Sequence, residues 1–353
     1  MLLITLLLAA TEIHLYFDGT LQDDSNDTNI FKLFAAFPGV RSNFATQAQD
    51  GVAFFQKVDV VKKKLALYLP GIGFDLNDFQ CLQFCYGGGM ELRSLVAYEF
   101  LVKHKALLTG NYKLRMFGFS RGAATARMLA NYLDLYGVLA SNTLRVGGTS
   151  PLERTFLTPT LPSKIGQKVI ISSLGLFDTV LATDVTKAVA KMPLSIPLNV
   201  LQARQAYAIN EYRSLFKLIT ISGAPNRKQK AFVGAHSDIG GDPSGPNAIN
   251  RPRLALHWMI TDFMDPELRN VFLPLTLSLT QIQQYSLVGI TDKVNFGAEY
   301  KLKRTVLVAD LHYSVVYMLQ QKKLKPTDYQ SRLLLLKALN NITVRCETCI
   351  QGF

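Results

Sequence analysis

Between the apolar run Leu114–Phe119 and the small-residue stretch Gly122-Ala-Ala-Thr-Ala126 lies Gly118-Phe-Ser120-Arg-Gly122, and this junction restricts the fold more than any other part of the chain. The apolar run reads as a buried strand, and Arg121–Tyr136, stopped by Gly137, reads as a helix. A serine between them, with glycine two residues away on either side, implies a very tight turn. A β-carbon at 118 or 122 would strike neighbouring backbone there. The turn lifts the Ser120 hydroxyl clear of the sheet and aims a helix N-terminus at it.

The same alternation runs through the chain. Ile13–Phe17 is a short apolar strand ending in Asp18-Gly19-Thr20, and Asn29–Phe37 is a helix stopped by Pro38-Gly39. Leu65–Leu69 is a strand ending in Pro70-Gly71-Ile72-Gly73, and Glu91–Leu108 has helical periodicity. Val169–Phe177 ends at Asp178, Ala206–Phe216 reads as helical, and Ala231–Gly234 reads as a strand leading to His236. Strands alternating with helices predict an α/β fold, a mainly parallel sheet with helices on both faces. Ligands of such sheets sit outside the carboxyl ends of the strands, so Asp18, Gly71, Ser120, Asp178 and His236 are expected to converge on one edge. The expected catalytic domain is 11–265. Within it, 137–167 is a long excursion that reads either as a lid or as a surface loop. Residues 266–353 are expected to form a basic C-terminal extension packed on the same domain.

A serine hydroxyl attacks poorly unless a base takes its proton, and the base needs an acid to hold its tautomer. With a strand–serine–helix turn, the expected chain order is serine, then acid, then histidine. Ser120, Asp178 and His236 supply that order, each just past an apolar run. His14 precedes the first strand end, His104 precedes the serine, and His257 lies mid-helix beside Trp258. On position this leaves His236 ahead of His312 as the base. The amide of Arg121 would face a developing oxyanion, with a second donor expected from Gly19 or Thr20. Asp18 reads better as a group that caps this loop than as a reactant. No phosphate-loop motif occurs, and Gly71-Ile-Gly73 lacks the rest of a dinucleotide fingerprint. Such a triad requires neither a metal nor another cofactor.

Composition sets the limits. At 353 residues the chain can bury a large core, and no apolar run is long enough for a membrane-spanning helix. The net charge is +12, and from Lys301 onward nine Lys or Arg face three acids. That excess suits an anionic surface by general electrostatics, or is simply a solvated face. No aromatic-interleaved basic stripe points to nucleic acid. The pairs Cys81/Cys85 and Cys346/Cys349 fit thiols or local disulfides better than a zinc site. The apolar opening Met1–Ala10 has the length of a signal-peptide core but no preceding Lys or Arg, so a buried strand or short anchor competes.

Six ordered blocks carry a family resemblance: Phe17-Asp-Gly-Thr20, Tyr68-Leu-Pro-Gly-Ile-Gly73, Phe117-Gly-Phe-Ser-Arg-Gly-Ala123, Phe177-Asp-Thr-Val180, Ala208-Ile-Asn-Glu-Tyr-Arg213 and Gly234-Ala-His-Ser-Asp-Ile-Gly-Gly241. Together, over about residues 12–262, they resemble the α/β-hydrolase catalytic domain of bacterial type VI secretion phospholipase effectors. The chain departs from that pattern at Phe232-Val-Gly before the histidine and at Asp242 after the glycine pair. The resemblance implies a serine esterase acting on glycerophospholipid acyl esters. Ser120 would be its nucleophile, Asp178 the orienting acid and His236 the base. It also implies contact with a membrane, with secretion machinery and with an immunity protein. An esterase or thioesterase for soluble esters, and a non-catalytic binding module on the same fold, are the competing readings.

Overall fold

The computed structural model describes residues 10–43, 52–59, 61–73, 89–140, 166–182, 193–221, 224–241, 250–286 and 310–315. The Met1–Ala10 segment before Ala10, both cysteine pairs, most of the 137–167 excursion and most of the chain beyond 286 lie outside the described residues.

Among the described residues eight strands form one sheet: β1 (Thr11–Phe17), β2 (Val40–Asn43), β3 (Phe55–Asp59), β4 (Lys64–Leu69), β5 (Tyr112–Phe119), β6 (Ile171–Phe177), β7 (Ala203–Ala208) and β8 (Arg227–Phe232), in the spatial order β2-β3-β4-β1-β5-β6-β7-β8. The six strands from β4 to β8 run parallel, while β3 is antiparallel to both β4 and β2. Central strands of a parallel sheet are covered on both faces and so read as near-continuous apolar runs. In β1 every residue is buried.

Alternate residues of the strands feed two cores. Leu15, Phe17, Leu67 and Met116 face α2 (Met90–Lys103) and α3 (Arg121–Tyr136). Tyr16, Tyr68, Phe117 and Phe232 face the other side. There they meet α1 (Asn29–Ala36), α5 (Pro252–Phe263), α6 (Pro266–Phe272) and α7 (Leu279–Ser286). A single turn of helix, α4 (Ser237–Gly240), lies between β8 and α5. Residues 266–286 contribute Leu268, Phe272, Leu277, Ile282 and Tyr285 to this second core. The chain is an α/β protein of the α/β-hydrolase type, with helices on both faces. Among the described residues no helix is long and apolar enough to cross a membrane.

Three local expectations fail for physical reasons, and one strand pair goes unread. The stretch read as a helix, Ala206–Phe216, begins instead as the end of β7. Its Ala-Arg-Gln-Ala-Tyr-Ala composition favours a helix, yet all six positions are buried between β6 and β8, and pairing overrides propensity. The last strand is Arg227–Phe232, not Ala231–Gly234, because an edge strand studded with Arg227, Lys228 and Lys230 lacks an apolar signature. The antiparallel pair β2 and β3 carries no run of apolar residues and is invisible to that criterion. The helix read as Glu91–Leu108 is broken at His104, and Lys105–Leu108 is a short 3-10 turn.

Candidate active site

The chain reverses its direction of travel at β1. It first crosses to the edge at β2 and works back through β3 to β4, then passes β1 to β5, with α1 on one face and α2 on the other. A crevice at the carboxyl ends of strands forms at such a switch point. The loops after β1 and β4 meet here. Gly71 N–H donates to Gln22 O at 2.7 Å, Leu21 N–H donates to Ile72 O at 2.8 Å, and a β-carbon on Gly71 would collide with the Gly19 carbonyl.

Ser120 stands between β5 and α3 with φ 59° and ψ −128°, a region that side chains rarely adopt. The turn is held by Ser120 N–H on Phe177 O at 3.0 Å and by Ala123 N–H on Ser120 O at 3.1 Å. The two glycines are obligatory. A β-carbon at 118 would lie 2.6 Å from Ala123 Cα, and one at 122 would lie 2.6 Å from the Phe17 carbonyl carbon. So α3 abuts the end of β1 and points its N-terminus at the serine. The Arg121 side chain turns away, donating to the carbonyls of Leu181 (2.7 Å) and Ala182, which fastens the segment after Asp178.

Asp178 ends β6 with φ 45° and is fully buried. Its Oδ1 accepts from Ala208 N–H at 2.8 Å and its Oδ2 lies 2.6 Å from His236 Nδ1. His236 Nε2 lies 2.7 Å from Ser120 Oγ. A carboxylate only accepts, so Nδ1 carries the imidazole proton and Nε2 is left to accept from the serine hydroxyl. Phe119 lies 4.7 Å from the imidazole centroid and Phe216 meets it edge-on at 4.9 Å. Ser120 is 5% exposed and His236 6% exposed, so the chain of three is largely shielded from water.

The loop after β1 is organised by Asp18. Its Oδ1 accepts from Gly19 N–H at 2.7 Å, and its Oδ2 accepts from Thr28 Oγ at 2.6 Å and from the Tyr68 hydroxyl at 2.7 Å. Burial pushes the Asp18 acid up to about 7 against the pull of those three donors. Thr28 Oγ also accepts from Phe31 N–H at 3.0 Å as the N-cap of α1. The Gly19 amide is therefore spent on Asp18. Among the described residues nothing accepts from the Thr20 amide, and the Thr20 hydroxyl, itself buried, has no partner either.

The other histidines are held elsewhere. Burial lowers His14 to about 3, and its ring bonds to the Tyr16 hydroxyl at 2.9 Å. Burial lowers His257 to about 4, and its Nδ1 accepts from Leu277 N–H at 3.0 Å. His312 is pushed well below its ordinary value by burial, pairs with Ser314 Oγ at 2.8 Å and stacks on Phe232. His104 ends α2 beside Phe100. Among the described residues no group of His, Cys, Asp and Glu gathers as a metal site. Sequence reading missed Glu211, whose carboxylate accepts from the His236 amide at 3.2 Å. It lay inside a stretch taken for a helix.

The family model described as "T6SS, Phospholipase effector Tle1-like, catalytic domain" matches residues 12–147 and 157–262, well over half of the chain. Among solved structures, an uncharacterized protein from Pseudomonas aeruginosa aligns at 17% identity over 94% of this chain and 62% of its own length, with a TM-score of 0.45. A structure of the Tle1 effector bound to the VgrG spike from the type 6 secretion system aligns at 20% identity over 68% of this chain and 53% of that one, with a TM-score of 0.39. The NocB thioesterase domain from the nocardicin cluster aligns at 11% identity over 66% of this chain and 88% of that one, with a TM-score of 0.31. This chain thus spans less than two thirds of the length of the first two. No curated protein matches it.

Proposed function

The chain belongs to the family of type VI secretion Tle1-like phospholipase effector catalytic domains, and from that premise we propose that it hydrolyses acyl esters of glycerophospholipids through a serine nucleophile, as a phospholipase of the A type. The observation that carries this reading is the continuous chain Asp178 Oδ2–His236 Nδ1 (2.6 Å) and His236 Nε2–Ser120 Oγ (2.7 Å) at the mouth of the sheet.

In the proposed mechanism Ser120 Oγ attacks the ester carbonyl carbon while His236 Nε2 takes the hydroxyl proton. Asp178 holds the imidazole in the productive tautomer and offsets the charge of the imidazolium. The carbonyl electrons move to oxygen, which the Arg121 amide at the start of α3 and an amide of the β1 loop receive. Because Asp18 already accepts from the Gly19 amide, Thr20 is the better second donor, with its buried hydroxyl beside it. Collapse of the tetrahedral intermediate breaks the bond to the leaving alkoxide, which takes the proton from His236. Water then gives a proton to His236, attacks the acyl-enzyme and releases the fatty acid with Ser120 restored. The basic C-terminal part would favour an anionic lipid surface. Delivery by a secretion spike and neutralisation by an immunity protein are the partners this reading implies.

Lipid product analysis tests the reading. The wild type should release fatty acid and lysolipid from phospholipid vesicles, and Ser120→Ala should release none while keeping the wild-type circular dichroism. Undiminished turnover by Ser120→Ala would remove the proposed nucleophile. Turnover of short p-nitrophenyl esters or thioesters without any from vesicles would replace the phospholipid with a soluble ester.

A further inference from the structure

We propose that Glu211, clamped by Arg213, is a positioning residue for His236, and that Ala208–Arg213 spaces the acid of the proposed triad from its base. The inference rests on the hydrolase reading above and adds a role for residues outside the three.

This stretch touches both ends of the chain of hydrogen bonds. Ala208 N–H donates to Asp178 Oδ1 at 2.8 Å. Two residues on, Asn210 N–H donates to Gly234 O at 2.9 Å and Asn210 Oδ1 accepts from Gly234 N–H at 3.0 Å. Glu211 Oε2 then accepts from His236 N–H at 3.2 Å. Between these, Ala235 N–H is taken by Asp238 Oδ2 at 2.9 Å. The three amides leading into the base are thus each held by a side chain. They need to be: β8 ends at Phe232, Gly234 turns the chain with φ +128°, and among the described residues no strand partner remains for these buried donors.

Arg213 fixes the carboxylate. Glu211 Oε1 accepts from Arg213 N–H (2.8 Å) and Nε–H (2.9 Å), and Oε2 accepts from Nη2–H (2.7 Å). The guanidinium lies 3.6 Å over the Phe216 ring, which in turn meets the His236 imidazole edge-on. His236 is therefore braced through its backbone by Glu211 and through its ring by Phe216, with Arg213 joining the two. Glu211 is 2% exposed. Burial alone would raise its acid, but the bonds and charge of Arg213 outweigh it and hold the carboxylate below its ordinary range.

The arrangement has an electrostatic consequence as well as a geometric one. Around His236 stand Asp178 from β6, Ser120 from β5, Glu211 and Arg213 from this stretch, and Asp238 on its own turn, backed by Arg251 at 3.9 Å. The Glu211 charge favours the imidazolium that forms when the serine loses its proton, and Arg213 tempers it.

The test uses the full chain with a fluorophosphonate probe and p-nitrophenyl butyrate. It compares wild type, Ser120→Ala, Glu211→Gln and Arg213→Met, with thermal midpoints recorded for each. Glu211→Gln should slow labelling and lower kcat by about tenfold or more with KM within about threefold, since small misplacements of a reacting group are costly. It should also move the acid limb of the kcat–pH profile to lower pH. Arg213→Met takes away the donors that hold the buried Glu211 as a carboxylate, so it should slow labelling and lower kcat in the same sense, with KM again within about threefold. A purely structural role leaves that limb in place, and if Glu211→Gln does not fold, Arg213→Met carries the test through its labelling rate and its split between kcat and KM. Labelling and kcat within about twofold of wild type, with unmoved pH limbs, overturn the inference and leave the hydrolase reading standing. A wild type as unreactive as Ser120→Ala overturns both.

Discussion

Two residues in the candidate site pay for their placement with backbone strain. Ser120 and Asp178 both have positive φ without being glycine, at a cost of about 1–3 kcal/mol each. Each is held by its neighbour strand. Ser120 N–H donates to Phe177 O at 3.0 Å, and Asp178 N–H donates to Ala206 O at 2.7 Å. The strain aims both side chains at one imidazole, which unstrained strand ends would not do. If Asp178 sets the tautomer, Asp178→Asn should keep the fold and the Ala208 bond but offer an amide N–H to Nδ1. The ring would then present the wrong nitrogen to Ser120. The expected fall in kcat is about 10³–10⁴, as for the serine-protease acid, with a thermal midpoint close to wild type. A loss of less than about tenfold would remove Asp178 from the mechanism.

The elements bring these residues together by packing that tolerates little change. Helix α3 begins where Gly122 touches the Phe17 and Asp18 carbonyls, so its first turn lies against the end of β1. Gly122→Ala forces that contact open. It should cost about 2–3 kcal/mol, the range for overpacking a rigid contact, and should lower fluorophosphonate labelling more than Ala126→Gly, farther along the same helix. Equal labelling of the two variants would show that the helix start does not matter. Thr28 links another element to the loop, capping α1 while donating to Asp18. Thr28→Val should cost about 2 kcal/mol through a lost cap and a buried acceptor with one donor fewer, read from the urea midpoint, whereas Thr28→Ser should be near neutral. Signals of this kind decide what sequence alone reveals. The glycine pair and the central strands are legible because sterics and two-sided burial leave few residue choices. Strand β7 is not, because Ala203-Arg-Gln-Ala-Tyr-Ala is helical by propensity and becomes a strand only between β6 and β8. Glu211 stands in a block that the sequence does single out, Ala208–Arg213, but its role does not show there, since it lies in a contact with a loop 25 residues away.

Across the molecule, the two ends of the sheet do different work. At the amino end, Arg115 bonds to Glu12 and Asp265, and Lys113 adds a contact to Asp265 at 3.1 Å, tying β1 and β5 to the N-cap of α6. The carboxyl end carries the candidate site, while buried titratable groups throughout the fold set its response to pH. The histidines at 14, 257 and 312, lowered by burial, make the fold lose stability as the pH falls below their ordinary value of 6.5. Glu91, in the first turn of α2, works in the opposite sense. Its Oε2 has no hydrogen-bond partner among the described residues, and burial pushes the acid from 4.5 up to about 8. Between those two pH values the folded state holds a proton that the unfolded chain has released. Stability therefore falls as the pH rises through that window, and the deficit is constant above it. Glu91→Gln does not titrate, so its stability relative to wild type should be flat below pH 4.5, climb through the window and level off above pH 8. The climb should be about 5 kcal/mol, at about 1.4 kcal/mol for each pH unit of the shift, which is several degrees in thermal midpoint for a chain of this size. Because the histidines are common to both proteins, subtracting the two midpoints at pH 5 and at pH 8.5 isolates residue 91. A difference that stays the same at both pH values would mean that Glu91 is already ionised in the folded chain, with the satellite cluster of Ile72, Met90, Met128 and Tyr132 open to water.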